Sequence, residues 1–213
     1  SPITVTELFA MKSRGERISC LTVYDYSFAH ILDQAGIEIL LVGDSLGMVI
    51  QGHETTLPVS MCNVLYHTQC VSRGCNSALV IADMPFGSYQ GSPQSAYENA
   101  ARLVGEGGAH MVKIEGGVVM AETVTFLVDR GIPVCGHIGL TPQSVNQLGG
   151  FRVQGREEST AEELRRDARN LEEAGASLLI LEATPAQLAK GITDSVSIPT
   201  VGIGAGPDTD GQV

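Results

Sequence analysis

The chain has 213 residues, 43% of them hydrophobic and 17% charged, which suits one globular domain with a buried core and excludes a disordered segment. Thirteen Lys and Arg stand against twenty-four Asp and Glu; a net charge of −11 repels phosphate backbones and anionic lipid, so neither nucleic acid nor a membrane surface is expected as a partner. No apolar stretch reaches the roughly 20 residues that span a bilayer, and Ser1-Pro-Ile-Thr-Val5 lacks the pattern of a signal peptide, so a soluble cytoplasmic protein is expected.

Apolar, β-rich runs alternate with stretches of helical spacing along the chain. A helix is expected near 4–14, then a strand over 18–23 and a helix near 27–35, a strand over 39–42 and a helix near 60–73, and a strand over 78–82 and a helix near 93–106. The alternation continues with strand 111–114 and helix 119–130, strand 133–136 and helix 160–174, strand 178–181 and helix 185–193, and a last strand over 200–203. Pro58-Val-Ser60 and Ser92-Pro93 read as helix entries, Ser159-x-x-Glu162 as a capping box, and Asp25 as a helix-entry residue.

Strand–helix units in succession, with no Gly-x-Gly-x-x-Gly turn after the first strand, predict an α/β fold of the (β/α)8 TIM-barrel type rather than a dinucleotide-binding sheet. Such barrels have eight strands in about 250 residues. Residues 1–213 are therefore expected to be a single barrel domain lacking its last unit, truncated at its C-terminal end. Cys20, Cys62, Cys70, Cys75 and Cys135 are odd in number and form no Cys-x-x-Cys pair; reduced, mostly buried thiols are expected.

Acids end several of these strands: Leu-Leu-Val-Gly-Asp44, Leu-Val-Ile-Ala-Asp83, Met-Val-Lys-Ile-Glu115 and Leu-Leu-Ile-Leu-Glu182. The C-terminal strand ends are the working face of a barrel. An acid there can instead cap the following helix, but better caps stand elsewhere, as at Ser92 and Thr184-Pro185. Uncommitted carboxylates gathered at one mouth repel one another unless a cation sits among them. Oxygen-only ligation by Asp44, Asp83 and Glu115, with no matching Cys or His cluster, selects Mg²⁺ over zinc and leaves positions open for substrate oxygens.

Lys113 lies two residues before Glu115 and shares its face of the strand. It reads either as a structural ion pair with a neighbouring acid or as a cation for a substrate carboxylate or enolate. His137 is open in the same way between a satisfied structural histidine and an electrophilic or proton-relay role. The spacing of His53, His67 and His110 suggests no ligation. Val201-Gly-Ile-Gly-Ala-Gly206 reads equally as a phosphate-binding loop, a close backbone approach or a tight turn.

Ordered segments spread over residues 21–213 resemble the ketopantoate hydroxymethyltransferase family. They are Leu41-Val-Gly-Asp-Ser-Leu-Gly47, Gly52-His-Glu-Thr-Thr-Leu-Pro58, Asp83-Met-Pro-Phe86, Val112-Lys-Ile-Glu-Gly-Gly117, Gly136-His-Ile-Gly-Leu-Thr-Pro-Gln-Ser144, Val153-Gln-Gly155, Gly202-Ile-Gly-Ala-Gly206 and Asp210-Gly-Gln212. The resemblance implies a Mg²⁺-dependent (β/α)8 barrel assembled as a homo-oligomer, usually a decamer. It implies condensation of 3-methyl-2-oxobutanoate with 5,10-methylenetetrahydrofolate and water to 2-dehydropantoate and tetrahydrofolate, in pantothenate and coenzyme A biosynthesis. Carried over by position, Asp44, Asp83 and Glu115 look like the metal ligands, Ser45 and Lys113 like substrate contacts, and Glu182 like the catalytic base. Asp44, Asp83 and His137 count with the substrate contacts, because the substrate is expected to chelate the metal beside them.

The chemistry agrees with the residue types. A 2-oxo acid offers keto and carboxylate oxygens to an open-sited Mg²⁺, which acidifies the C–H at C3. Glu182 would take that proton, with Lys113 and His137 stabilising the enolate. Two rivals use the same residues: another Mg²⁺-dependent 2-oxo-acid lyase or mutase, and a non-catalytic ligand-binding barrel subunit.

Overall fold

A computed structural model describes residues 2–150 and 152–213. Its strands are β1 (Ile18–Thr22), β2 (Ile39–Val42), β3 (Leu79–Asp83), β4 (Met111–Glu115), β5 (Val134–Gly139), β6 (Leu178–Glu182), β7 (Thr200–Ile203) and β8 (Gly211–Gln212). Neighbours in sequence pair in parallel, and β8 pairs with both β7 and β1, so the sheet closes on itself. The helices are α1 (Val5–Arg14), α2 (Tyr26–Gln34), α3 (Leu46–Val49), α4 (Met61–Gly74), α5 (Pro93–Gly105), α6 (Ala121–Val128), α7 (Val145–Leu148), α8 (Glu158–Glu173) and α9 (Ala186–Ser195).

Strand parity decides where each side chain goes. Cys20, Ile39, Leu41, Leu79, Ile81, Met111, Cys135, Leu178, Ile180 and Val201 fill the barrel interior, with Leu8 and Met11 of α1 packed against them. The alternate positions face the helices: Leu40, Val42 and Val80 pack on Ala29 of α2 and Val71 of α4. A strand buried on both faces reads as an unbroken apolar run, which is why Ile39-Leu-Leu-Val42 and Leu79-Val-Ile-Ala82 stand out in the sequence.

All the expected strands are present. An eighth strand not expected from the sequence, β8, closes the sheet, its Gly211 in register with Ile18 of β1 and Val201 of β7; among the described residues no helix follows it. Asp25 caps α2 by accepting from the Phe28 N–H at 2.9 Å. Ser60 and Asn63 form a reciprocal capping box on α4, and Ser92 caps α5 with Pro93 in its first turn.

Two expected caps are absent. Helix α8 starts at Glu158 with Glu157 before it, so Ser159 lies inside the helix and makes no capping box. Pro185 takes the N-cap position of α9, and the Thr184 hydroxyl has no hydrogen-bond partner. The cysteines are free as expected but less buried: Cys20 and Cys135 are buried, Cys70 and Cys75 half-buried and Cys62 exposed. The glycine segment after β7 makes a close backbone approach to α9, where a Cβ on Gly206 would lie 2.4 Å from that of Ala186. Among the described residues no helix is long and apolar enough to cross a membrane.

Candidate active site

The inward parity that fills the barrel with apolar side chains continues past its last apolar layer into charged ones. Ile81 is followed two residues on by Asp83, Met111 by Lys113 and then Glu115, Cys135 by His137, and Ile180 by Glu182. Parallel register sets Asp83 beside Lys113 and Glu115 beside His137. Asp44 enters from the turn after β2, where its N–H donates to Asp83 Oδ2 at 2.9 Å. Gly43 leaves room for this approach: a Cβ there would meet Ser45 Oγ at 2.7 Å and Asp83 Oδ2 at 3.6 Å. Asp44, Asp83, Lys113, Glu115, His137 and Glu182 line one cavity of about 480 Å³, with Met48, Val49 and Ile203 among its apolar lining.

Lys113 is the hub. Its Nζ lies 3.2 Å from Asp83 Oδ1 and 3.9 Å from Glu115 Oε1, and donates to His137 Nδ1 at 2.9 Å. An ammonium only donates, so Nδ1 accepts and the ring proton is assigned to Nε2, which lies 3.0 Å from Glu182 Oε2. Lys113 and His137 are thus hydrogen-bonded, and Glu182 lies against the far side of the ring, where Nε2 makes no hydrogen bond. The first two are fully enclosed, whereas the Glu182 side chain keeps 19% of its surface open to the cavity.

Burial and charge work against each other here. Burial pushes Asp83 up to about 7, with Lys113 opposing and Asp44 adding to the rise. Burial likewise raises Glu115, against the pull of His137 and Lys113. Lys113 is drawn down by burial, but Asp83, Glu115 and Asp44 more than reverse this and hold it charged above its ordinary range. One ammonium faces three buried acids, a cluster short of positive charge.

Among the described residues no three His, Cys, Asp or Glu side chains form a ready cage for a metal ion. Asp44, Asp83 and Glu115 share the cavity without converging as three ligands. Glu115 is held aside: its Oε2 accepts from the Gln143 N–H at 3.0 Å, and its Oε1 faces Lys113 and His137. Mg²⁺ needs fewer protein ligands, since it is usually held by one or two carboxylates and keeps several waters. Asp44 and Asp83 fit that pattern. Asp83 Oδ1 is buried without a hydrogen bond, its contact with Lys113 being ionic and off the hydrogen-bonding line.

Four residues given no role of their own in the sequence reading, Gln143 and Thr56 among them although they lie in the quoted segments, complete the site. Gln143 donates through Nε2 to Asp44 Oδ2 and to the Met84 carbonyl, both at 2.9 Å. The Tyr89 hydroxyl donates to Gln143 Oε1 at 2.6 Å and accepts from the Glu115 N–H at 3.0 Å. Tyr24 shares a 2.7 Å hydrogen bond with Ser45, and the buried Thr56 hydroxyl lines the cavity without a partner. His53, His67 and His110 take no part in the cluster; His67 instead contacts the Tyr24 carbonyl through Nδ1 at 2.7 Å.

A family model described as ketopantoate hydroxymethyltransferase matches residues 2–213. The chain is 60% identical over 212 residues to the 3-methyl-2-oxobutanoate hydroxymethyltransferase of Thiobacillus denitrificans, covering 100% of this chain and 80% of that protein. It is 61% identical over 211 residues to the protein of the same name from Chromobacterium violaceum, covering 99% and 80%. Among solved structures, phosphonopyruvate hydrolase in complex with oxalate and Mg²⁺ superposes with a TM-score of 0.69 at 14% identity, over 93% of this chain and 71% of that one. The 2,3-dimethylmalate lyase, a PEP mutase/isocitrate lyase superfamily member, superposes with a TM-score of 0.68 at 20% identity, over 95% and 74%. At such identities these structures speak to the fold alone.

Proposed function

The chain belongs to the ketopantoate hydroxymethyltransferase family, and on that premise we propose that it transfers a hydroxymethyl group from 5,10-methylenetetrahydrofolate to 3-methyl-2-oxobutanoate, giving 2-dehydropantoate for pantothenate and coenzyme A synthesis. It works in the cytoplasm as a Mg²⁺-dependent homo-oligomer, with small-molecule substrates and no nucleic-acid or membrane partner. The observation that carries this reading is the buried Lys113–His137 pair, which lies against a Glu182 carboxylate open to the cavity beside the Asp44–Asp83 pair.

Asp44 and Asp83 would hold Mg²⁺, with the Glu115 carboxylate adding negative charge in the same cavity. When bound, Mg²⁺ acts as a Lewis acid on the keto oxygen of the substrate. Glu182 takes the proton from C3. The His137 ring lies beside Glu182, with Nε2 3.0 Å from its Oε2, while Lys113 supplies fixed positive charge as negative charge develops on the substrate. Ser45, braced by Tyr24, offers a hydroxyl at the substrate's side. The enolate carbon then attacks the methylene carbon of the folate, the C–C bond forming as one C–N bond breaks; water displaces the second nitrogen and leaves its hydroxyl on that carbon, and the C3 proton held by Glu182 and the remaining water proton go to the two folate nitrogens as tetrahydrofolate leaves. Met48, Val49 and Ile203 receive the substrate's isopropyl group.

The test is solvent deuterium exchange at C3 of 3-methyl-2-oxobutanoate with Mg²⁺ and without folate. Exchange is expected in the parent chain and a loss of at least about 10²-fold in Glu182→Gln, with substrate binding retained. Exchange persisting in that variant moves the base elsewhere, and binding without exchange in the parent favours a non-catalytic barrel.

A further inference from the structure

We infer that Gln143 is a positioning residue that ties the two acidic walls of the site into one unit, and that Tyr89 sets the direction of its amide. The inference rests on the proposed Mg²⁺ site at Asp44 and Asp83. Gln143 lies in the loop after β5, yet its groups reach three other loops: Asp44 after β2, Met84 after β3 and Glu115 at the end of β4. Its backbone N–H holds Glu115 Oε2 while its side chain holds Asp44 Oδ2, so displacing one residue releases both acids.

The amide can serve in one orientation only. Nε2 spends its two protons on Asp44 Oδ2 and the Met84 carbonyl; Oε1 accepts from Tyr89 at 2.6 Å and from Gln90 Nε2 at 3.2 Å. A flipped amide would set its oxygen against a carboxylate and a carbonyl, and its NH₂ against the donors of Tyr89 and Gln90. Tyr89 is fixed in turn: the Glu115 N–H donates to its oxygen at 3.0 Å, and its own proton goes to Gln143 Oε1 at 2.6 Å in preference to the Glu115 carbonyl at 3.4 Å. With Asp44 Oδ2 committed to Gln143, Asp44 is restricted to presenting its other oxygen to a cation. A ligand already oriented loses less freedom on binding the ion, and partners of this kind alter metal affinity by about 10–100-fold.

The experiment measures the Mg²⁺ dissociation constant by titration calorimetry for the parent chain, Gln143→Met, Tyr89→Phe and the double variant, with circular dichroism as the check on folding. Methionine matches glutamine in length and removes both amide groups; phenylalanine keeps the ring. Expected are a rise of about 10–100-fold in Gln143→Met, a smaller rise in Tyr89→Phe, and no further rise when the second change is added to the first, since both act through one amide. If Gln143→Met does not fold, Tyr89→Phe decides. Values within twofold of the parent in every folded variant overturn the inference alone. Absence of Mg²⁺ binding by the parent overturns the metal reading and this inference with it.

Discussion

Replacing Lys113 by methionine probes the charge balance of the site without a large change in shape. Lys113 is 4% exposed and lies 3.2 Å from Asp83 and 3.9 Å from Glu115. Its removal leaves Asp44, Asp83 and Glu115 without their shared cation. Breaking a buried pair by deleting one partner costs about 3–5 kcal/mol, and the upper part of that range is expected because three acids lose their counter-charge together. The loss depends on pH. Asp83 already sits above its ordinary 3.8, at about 7, and losing Lys113 removes the main influence holding it down. A carboxyl whose folded pKa exceeds its unfolded one stabilises the fold fully below the unfolded value and loses that contribution as pH rises through the folded value. Ionised Asp83 is therefore the costly form in the variant, and stability should fall as pH climbs from about 4 through 7 and beyond. Urea unfolding of Mg²⁺-free parent and Lys113→Met at pH 6 and pH 8 measures both effects. The variant should lose more at pH 8 than at pH 6; a loss below about 1 kcal/mol at pH 8, or a larger loss at pH 6, would refute the reasoning.

Asp33 offers a contrasting carboxylate. Its oxygens accept from the N–H groups of Asn76, Ser77 and Ala78 at 3.1, 2.8 and 2.7 Å, which outweigh burial and hold it below the usual carboxylate range. Asp33→Ala should cost about 2–4 kcal/mol at pH 7 in urea unfolding. The difference should shrink below about pH 4, as the parent's own Asp33 protonates on passing through its lowered pKa; a difference that does not change with pH would contradict this. Gly139 has a φ of +91°, and a Cβ there would lie 2.3 Å from the Glu182 carbonyl. Gly139→Ala should therefore cost about 1–2 kcal/mol in backbone strain and lower C3 exchange by up to about 10²-fold through displacement of Glu182. Parent-like exchange would show that Glu182 tolerates the shift.

Much of the architecture is legible because barrel strands are apolar on both faces and each is followed by a helix with its own entry signal. Strand β8 escapes detection, since Gly211-Gln212 has no apolar run and is a strand only because β1 and β7 flank it. The short helices α3 and α7 lie in loops at the barrel mouth and are too brief for a period to show. Ser159-x-x-Glu162 misleads for a related reason: the local motif is present, but the helix already begins at Glu158.

The acids of the site are visible because a charge that ends an apolar strand has few structural explanations. Lys113 illustrates how two readings merge. It is an ion-pair partner of Asp83, and the same position directs its charge into the cavity. Gln143 lies in a segment that carries the family resemblance, but its role and that of Tyr89 are not legible there, since they are neutral side chains from separate loops, 54 positions apart, that only the barrel brings together. Glu115 follows from the same limitation: its strand position is legible, but its engagement by the Gln143 backbone is a tertiary fact.

The most direct measurement is a crystal structure of the chain soaked with Mn²⁺ in place of Mg²⁺ and with 3-methyl-2-oxobutanoate, phased to show anomalous scatterers. The account predicts one peak in contact with the carboxylates of Asp44 and Asp83, bearing two oxygens of the oxo acid, whose C3 faces Glu182. A peak away from both aspartates, or an oxo acid bound with C3 turned from Glu182, would contradict it.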